Sequence, residues 1–321
     1  MKALVTGGTG FVGSHLLEHL LRRGDTVRAL VRSPARAAAL GLDGVEWIRG
    51  DLDDPEALIR ATEGVDVIYH VAGLVMARDE AEFHAVNAAG TRSLLEAAAP
   101  SGPRFVLVSS LAAGGPTVPG RPLLGHEPPH PVTAYGRSKL AAEAVVRAGP
   151  LPWTIVRPPA VYGPRDREMF RVFRSAQLGV APVFGEGDQE LSLVFGPDLA
   201  GAIAAAGLSR ETLGGTFYAA HPEVTTAERL VRRVAAGFGR EVRVLKIPFG
   251  LGRAVLHLTG MAARLANRAT ILTADKGNEL FQPAWTCDPA PLTEATGWRA
   301  VHGLDAGIPR SIAWYREAGW L

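Results

Sequence analysis

Thr6-Gly7-Gly8-Thr9-Gly10-Phe11-Val12-Gly13 follows the apolar run Lys2 to Val5 and opens an amphipathic stretch from Val12 to Arg23. Few local patterns restrict a fold more. Gly7 allows a tight turn, Gly10 lets backbone N–H groups approach a pyrophosphate, and Gly13 lets a helix pack close to the strand before it. The N-terminus of that helix adds partial positive charge where phosphates would lie. In a strand–turn–helix setting such a turn reads as a dinucleotide cradle, with Thr9, Phe11 and Val12 completing the cofactor-binding set.

The rest of the first half keeps the same rhythm. Strands are expected at Thr26 to Val31, Val45 to Arg49, Val65 to Val71 and Phe105 to Ser109. Helices are expected at Pro55 to Thr62, capped by Asp53 or Asp54, at Phe83 to Ala99 and at Tyr135 to Ala148, before a strand at Trp153 to Arg157. Short apolar runs alternating with helical periodicity predict an α/β fold, a Rossmann-type doubly wound parallel sheet. A Pro/Gly-rich loop, Gly114 to Pro131, interrupts it and is long enough to serve a function. Beyond Tyr162 the alternation fades into helices at Met169 to Leu178, Asp198 to Gly207 and Thr225 to Phe238, the last with Thr225 and Glu228 as a capping box. The expected division is a dinucleotide-binding domain at 1–165, with 190–220 returning to it. A smaller, mostly C-terminal substrate lobe takes 166–189 and 221–321.

At the end of the second strand an acidic residue would bind the ribose hydroxyls of NAD. The sequence has Leu30-Val31-Arg32-Ser33 and then Arg36, so two guanidinium groups stand ready for a 2′-phosphate. NADP is the expected cofactor, with NAD the alternative. Asp51 and Leu52, after the third strand, are placed to meet the adenine; Ala72 and Gly73, after the fourth, are placed to line the cofactor.

Tyr135-Gly136-Arg137-Ser138-Lys139 sets a tyrosine and a lysine four apart, on one face of a helix. A nearby ammonium lowers a phenol pKa from its ordinary value near 10, towards the range useful for acid–base work. Ser109 and Ser110 close the fifth strand at the edge where ligands bind in such sheets.

These residues, with Gly50-Asp51-Leu52, Val71-Ala72-Gly73, Asn87, Arg157-Pro158 and Val161-Tyr162-Gly163-Pro164, give the chain a resemblance to the extended short-chain dehydrogenases/reductases. Dihydroflavonol reductases and 3β-hydroxysteroid dehydrogenases look nearest. The resemblance implies Ser110, Tyr135 and Lys139 as catalytic residues. It adds cofactor contacts at Val71, Asn87, Ser109, Pro158 and Val161, besides Tyr135 and Lys139 themselves, and implies a homodimer paired through helices 83–99 and 135–148. Sugar-nucleotide epimerases and dehydratases of this branch carry an arginine that grips a diphosphate. Here the segment Gly185 to Leu193 has Leu191 at that place, which turns the expectation towards an apolar, non-nucleotide carbonyl or alcohol. Arg165, Arg167, Arg171 and Arg174 are the cations that would substitute. A sugar-nucleotide epimerase or dehydratase is the alternative, and a non-catalytic NADP sensor a lesser one.

Composition narrows the rest. A net charge of +2 without basic blocks argues against nucleic acid, and one cysteine, Cys287, excludes an intrachain disulfide and a thiolate metal cluster. No metal is expected. The start, MKALVTGG, lacks the layout of a signal peptide, and no uncharged apolar run approaches the roughly 18 residues of a membrane span, so a cytoplasmic enzyme is expected. Residues 247–266 are apolar, with Arg253, His257 and Arg264 interspersed. A core-facing helix is the expectation there; a lid over the substrate and contact with a membrane surface are the alternatives.

Overall fold

A computed structural model describes residues 1–265 and 274–321, the side chains of 262–265 excepted. The first half runs β1 (Lys2–Thr6), α1 (Phe11–Arg23), β2 (Thr26–Val31), α2 (Pro34–Ala38), β3 (Val45–Arg49), α3 (Pro55–Thr62) and β4 (Val67–His70). It continues with α4 (Glu80–His84), a π turn (Ala85–Ala89), α5 (Gly90–Ala98), β5 (Arg104–Val108), α6 (Leu111–Gly114), α7 (Ala134–Ala148) and β6 (Trp153–Arg157). Then follow β7 (Ala160–Tyr162), α8 (Phe170–Gln177), β8 (Val180–Phe184), β9 (Glu190–Phe195), α9 (Gly196–Leu208), β10 (Thr216–Tyr218), β11 (Val224–Thr226) and α10 (Ala227–Gly237). The chain closes with β12 (Arg243–Ile247), α11 (Phe249–Leu265), α12 (Ala274–Leu280), β13 (Ala284–Trp285), α13 (Ala290–Thr296) and α14 (Leu304–Glu317).

Seven parallel strands form the main sheet in the order β10-β6-β5-β4-β1-β2-β3. Strands buried on both faces explain the near-continuous apolar runs, because alternate residues enter different cores. Ala3 and Val5 meet Leu16, Leu17 and Leu20 of α1 and Leu199 and Ile203 of α9. Leu4 faces the other way, towards Ala57 and Leu58 of α3, Leu94 and Leu95 of α5, and Ala142 and Val146 of α7. The strand order reverses between β1 and β4, which places the crevice for a ligand at their C-terminal ends.

Two smaller sheets complete the chain: β11-β9-β13, with β7 also on β9, and β12-β8. A third core joins Tyr162, Phe173, Leu193 and Phe195 to Leu230, Val234, Ile308 and Tyr315. Thus α9 packs on the main sheet and β10 extends it, while β9, between β11 on one side and β13 and β7 on the other, belongs to the second sheet.

Several local expectations change. The helix expected from Phe83 begins at Glu80, where Asp79 accepts from Glu82 N–H at 2.8 Å, and it widens into a π turn around Asn87. Asp54, not Asp53, caps α3. Thr225 does not cap α10: its backbone pairs with Leu191 in the sheet, so the cap moves to Thr226, and Glu228 pairs with Arg232 instead. The apolar stretch 247–266 is not core-facing. Only Gly252 and Leu256 of the described part of α11 are buried, and Leu251, Val255, Leu258 and Met261 are 59%, 47%, 66% and 58% exposed. The Arg264 side chain and Ala266 lie outside the described residues.

Candidate active site

Parallel strands deliver their C-terminal ends to one edge, and the sequence picks line up along it. The turn after β1, Arg32 after β2, Asp51 and Leu52 after β3, Ala72 and Gly73 after β4, Ser109 and Ser110 after β5 and Pro158 after β6 all lie there. Sterics explain the turn. Gly7 has a φ of 71°, in the left-handed region, and a Cβ on Gly13 would stand 2.1 Å from the Gly7 carbonyl oxygen. Gly10 closes the turn by donating to Gly7 O at 2.9 Å. No side chain caps the N-terminus of α1, so its first N–H groups stay available for an anion, as a dinucleotide phosphate requires. Thr9, Phe11 and Val12 are partly exposed around it.

Arg32 and Arg36 are exposed, and neither forms an ion pair among the described residues. Leu52 packs beside Gly90, while the partly exposed Asp51 accepts from Asp53 N–H at 2.8 Å. At the end of β4, the Thr6 hydroxyl shares hydrogen bonds with His70 Nδ1 at 2.7 Å and Ala72 N–H at 3.3 Å, locking β4 to β1. Burial holds the His70 imidazole down at about 3, so it is a neutral structural group.

Asn87 sits in the π turn, a widening that often marks functional sites. Its Oδ1 accepts from Leu74 N–H at 2.7 Å; its Nδ2 donates to Leu74 O at 3.1 Å and Ser138 Oγ at 2.9 Å. It ties the segment after β4 to α7. A Cβ on Gly73 would lie 3.0 Å from Asn87 Oδ1 and 3.6 Å from Lys139 Nζ, so this strand end borders the lysine. Val71 is partly exposed and packs on the main core; Pro158 is buried, accepting from Leu111 N–H at 2.8 Å; Val161 pairs with Val194 in β7.

Helix α7 brings the reactive side chains together. Thr133 caps it, accepting from Gly136 N–H at 3.1 Å. Tyr135 and Ser110 are partly exposed, and Ser110 Oγ accepts from Ala112 N–H at 3.1 Å. Lys139 is buried. Its Nζ donates to Val108 O at 2.7 Å, at the end of β5. The expectation that Lys139 draws the Tyr135 phenol towards neutrality is corrected. Burial pushes the phenol up to about 12, Ser110 pulls it back, and Glu279 raises it further. The helical spacing puts tyrosine and lysine on one face, but the ammonium turns to the strand carbonyl. Burial also lowers Lys139 to about 8, with Glu143 opposing. The phenol therefore carries its proton at neutral pH, and its release to a substrate oxygen depends on charge that a bound cofactor would add.

Three groups were not anticipated. Glu143, fully buried one turn beyond Lys139, accepts from Ser109 Oγ at 2.6 Å and from Arg157 Nε and Nη2, each at 2.7 Å. Ser109 therefore spends its hydroxyl on the interior. Asp275 of α12 accepts from Ala134 N–H, the first residue of α7, at 3.0 Å. Glu279 of the same helix acts on Tyr135. Glu143, at i+4 from Lys139, was legible in principle; α12 is remote in sequence and gave no signal.

Two of the four cations considered for a diphosphate have other duties, while Arg171 and Arg174 are exposed. Arg165, itself at a φ of 72°, binds Ser14 Oγ at 2.9 Å and Glu18, and Arg167 lies over the Trp320 ring at 5.1 Å. Leu191 sits in β9, between Thr225 and Trp285, and packs on the third core.

Comparison with known proteins gives the family and the fold. The sequence pattern of the NAD dependent epimerase/dehydratase family matches residues 3–218. A ceramide reductase of Caulobacter vibrioides is 34% identical over 99% of this chain and 95% of its own length. The sterol demethylase protein B of Methylococcus capsulatus is 40% identical over 52% of this chain and 53% of its own. Among solved structures, the Thermus thermophilus UDP-glucose 4-epimerase complex with NAD is 26% identical, with a TM-score of 0.79 over 99% of this chain and all of that one.

Proposed function

The chain belongs to the NAD dependent epimerase/dehydratase family, and from that premise we propose that it is an NADP-preferring reductase acting on the carbonyl of an apolar, non-nucleotide substrate. The observation that carries the reading is Leu191: a branched alkyl group, walled into a sheet, where a nucleotide-sugar enzyme would need a cation. Arg165, held by Ser14 and Glu18, and Arg167, over the Trp320 ring, are engaged elsewhere, which leaves Arg171 and Arg174 as the cations the nucleotide titration below tests. Full-length similarity to a ceramide reductase supports a lipid-like carbonyl compound.

A bound nicotinamide cofactor supplies the hydride. Tyr135 donates the proton to the carbonyl oxygen, and Ser110 hydrogen-bonds that oxygen and orients it. Lys139 holds positive charge beside the cofactor ribose, steadied by Val108 O. Arg32 and Arg36 take the 2′-phosphate, and the uncapped N-terminus of α1 takes the pyrophosphate. The enzyme acts as a homodimer in the cytoplasm, paired through α5 and α7.

The test is twofold. NADPH oxidation is followed with N-acylated 3-oxo lipid amides, steroid ketones and flavonoid ketones. UDP and TDP are titrated calorimetrically in the presence of saturating NADP. Turnover of a lipid ketone without nucleotide binding bears the proposal out. Micromolar UDP or TDP binding sinks it and moves the enzyme to the epimerases and dehydratases.

A further inference from the structure

Helix α11 is amphipathic in the wrong direction for a soluble core. It spans 17 residues. Leu251, Val255 and Leu258 follow the i, i+4, i+7 spacing of one helix face, Met261 extends it, and all four are exposed. The opposite arc, Gly252 and Leu256, packs inward. Between these two arcs Arg253 and His257 form an exposed flank. Arg253 lies 5.5 Å over the Phe281 ring, which fixes the position of its charge.

The sequence running through this helix is one-sided in charge. From Val242 to Ala274 the sequence holds five Lys and Arg and no Asp or Glu, whereas the chain's 32 acidic residues would put about three in such a stretch. One of the five, Lys246, is paired with Glu186 at 2.7 Å, whereas Arg253 on the helix's own flank has no ion pair among the described residues. An apolar arc bordered by cations is what an interfacial helix needs: the arc enters the headgroup region and the cations meet anionic lipid. Among the described residues no helix is long and apolar enough to cross a membrane, so a bilayer would be met from its surface. A second copy fits less well. In a twofold dimer this patch would meet itself and set the same basic flank against its own copy.

We propose that the outer face of α11 is a docking surface for an anionic phospholipid bilayer, with Leu251, Val255, Leu258 and Met261 entering the interface and Arg253 and His257 at its rim. This goes beyond the reductase reading and does not depend on it, since the inference stands on α11 alone. A bilayer partner would also bring the enzyme to membrane-dissolved substrates.

The test is co-sedimentation with extruded vesicles of phosphatidylglycerol and phosphatidylcholine, and of phosphatidylcholine alone. Wild-type protein should sediment with the anionic vesicles, less with the neutral ones, and less as salt rises. The double variant Leu251→Asp/Leu258→Asp removes two exposed side chains and should fold normally, which its melting temperature checks. Its partitioning should fall about tenfold or more, and that of Arg253→Gln about fivefold. Light scattering gives the mass of both proteins in solution. Failure of the wild type to sediment, equal binding by the double variant, or a wild-type dimer that the double variant splits would each overturn the proposal, the last by assigning the face to a second copy. Vesicle binding is read without turnover, so an inactive protein tests it equally well.

Discussion

Lys139 and Glu143 stand one turn apart on α7 and hold consecutive residues at the end of β5: Lys139 donates to the Val108 carbonyl and Glu143 accepts from the Ser109 hydroxyl. The helix carrying Tyr135 is thereby bolted to the strand carrying Ser110. Arg157 of β6 completes the joint by pairing with Glu143 through two nitrogens.

Glu143→Gln should loosen that joint. It leaves Arg157 buried without its counter-charge, a change that costs about 3 kcal/mol or more. Chemical denaturation should register the loss. Because Glu143 raises the Lys139 pKa, the variant should also shift the pH at which turnover changes downward. Wild-type stability in Glu143→Gln would show the pair to be energetically idle.

Tyr135→Phe removes the proposed proton donor and little else. Turnover should fall by about 10²- to 10⁴-fold, while the cofactor binds as before in a fluorescence titration. Ser110→Ala should cost less, since the phenol remains. Full activity in Tyr135→Phe would move the proton transfer to another group.

Much of this site was legible in the sequence. Gly7 and Gly13 announce themselves because no other residue avoids the backbone they touch, and Leu4 and Val5 because both faces of their strand are buried. The remainder depends on contacts between distant segments. β9 draws in β11, β13 and β7, strands of two or three residues each, too short to show a period. Asp275 reaches α7 across 141 residues. The apolar content of α11 was plain, but the direction its face points is settled by packing, which periodicity alone does not encode. The same holds for Lys139, whose spacing from Tyr135 was readable while its hydrogen bond to Val108 was not.

Arg32 and Arg36 offer a direct check on cofactor choice. Both are exposed beside the end of β2, so the fold does not depend on them. Arg32→Gln/Arg36→Gln should raise the KM for NADPH by about 10- to 100-fold, the worth of one or two charge-assisted hydrogen bonds, and leave that for NADH nearly unchanged. Steady-state kinetics with both cofactors decides it. Equal losses for the two would mean that the arginines do not read the 2′-phosphate.

The buried ammonium of Lys139 makes a prediction about stability and pH. Burial lowers its pKa from 10.5 to about 8 in the folded chain, with Glu143 opposing. Between those values the unfolded chain holds a proton that the folded one has lost, so stability contributed by this group rises with pH across the window. Below about 8 both states are protonated and the folded protein carries the full cost of a buried charge. Lys139→Met, of similar length and uncharged, should lack the dependence. The wild type should therefore gain on Lys139→Met by about 3 kcal/mol as pH rises from below 8 to above 10. Urea denaturation of both proteins across that range measures the difference directly. Parallel profiles would mean that the ammonium is better solvated than its burial implies, and that Lys139 stays charged well into the alkaline range, ready beside the cofactor throughout.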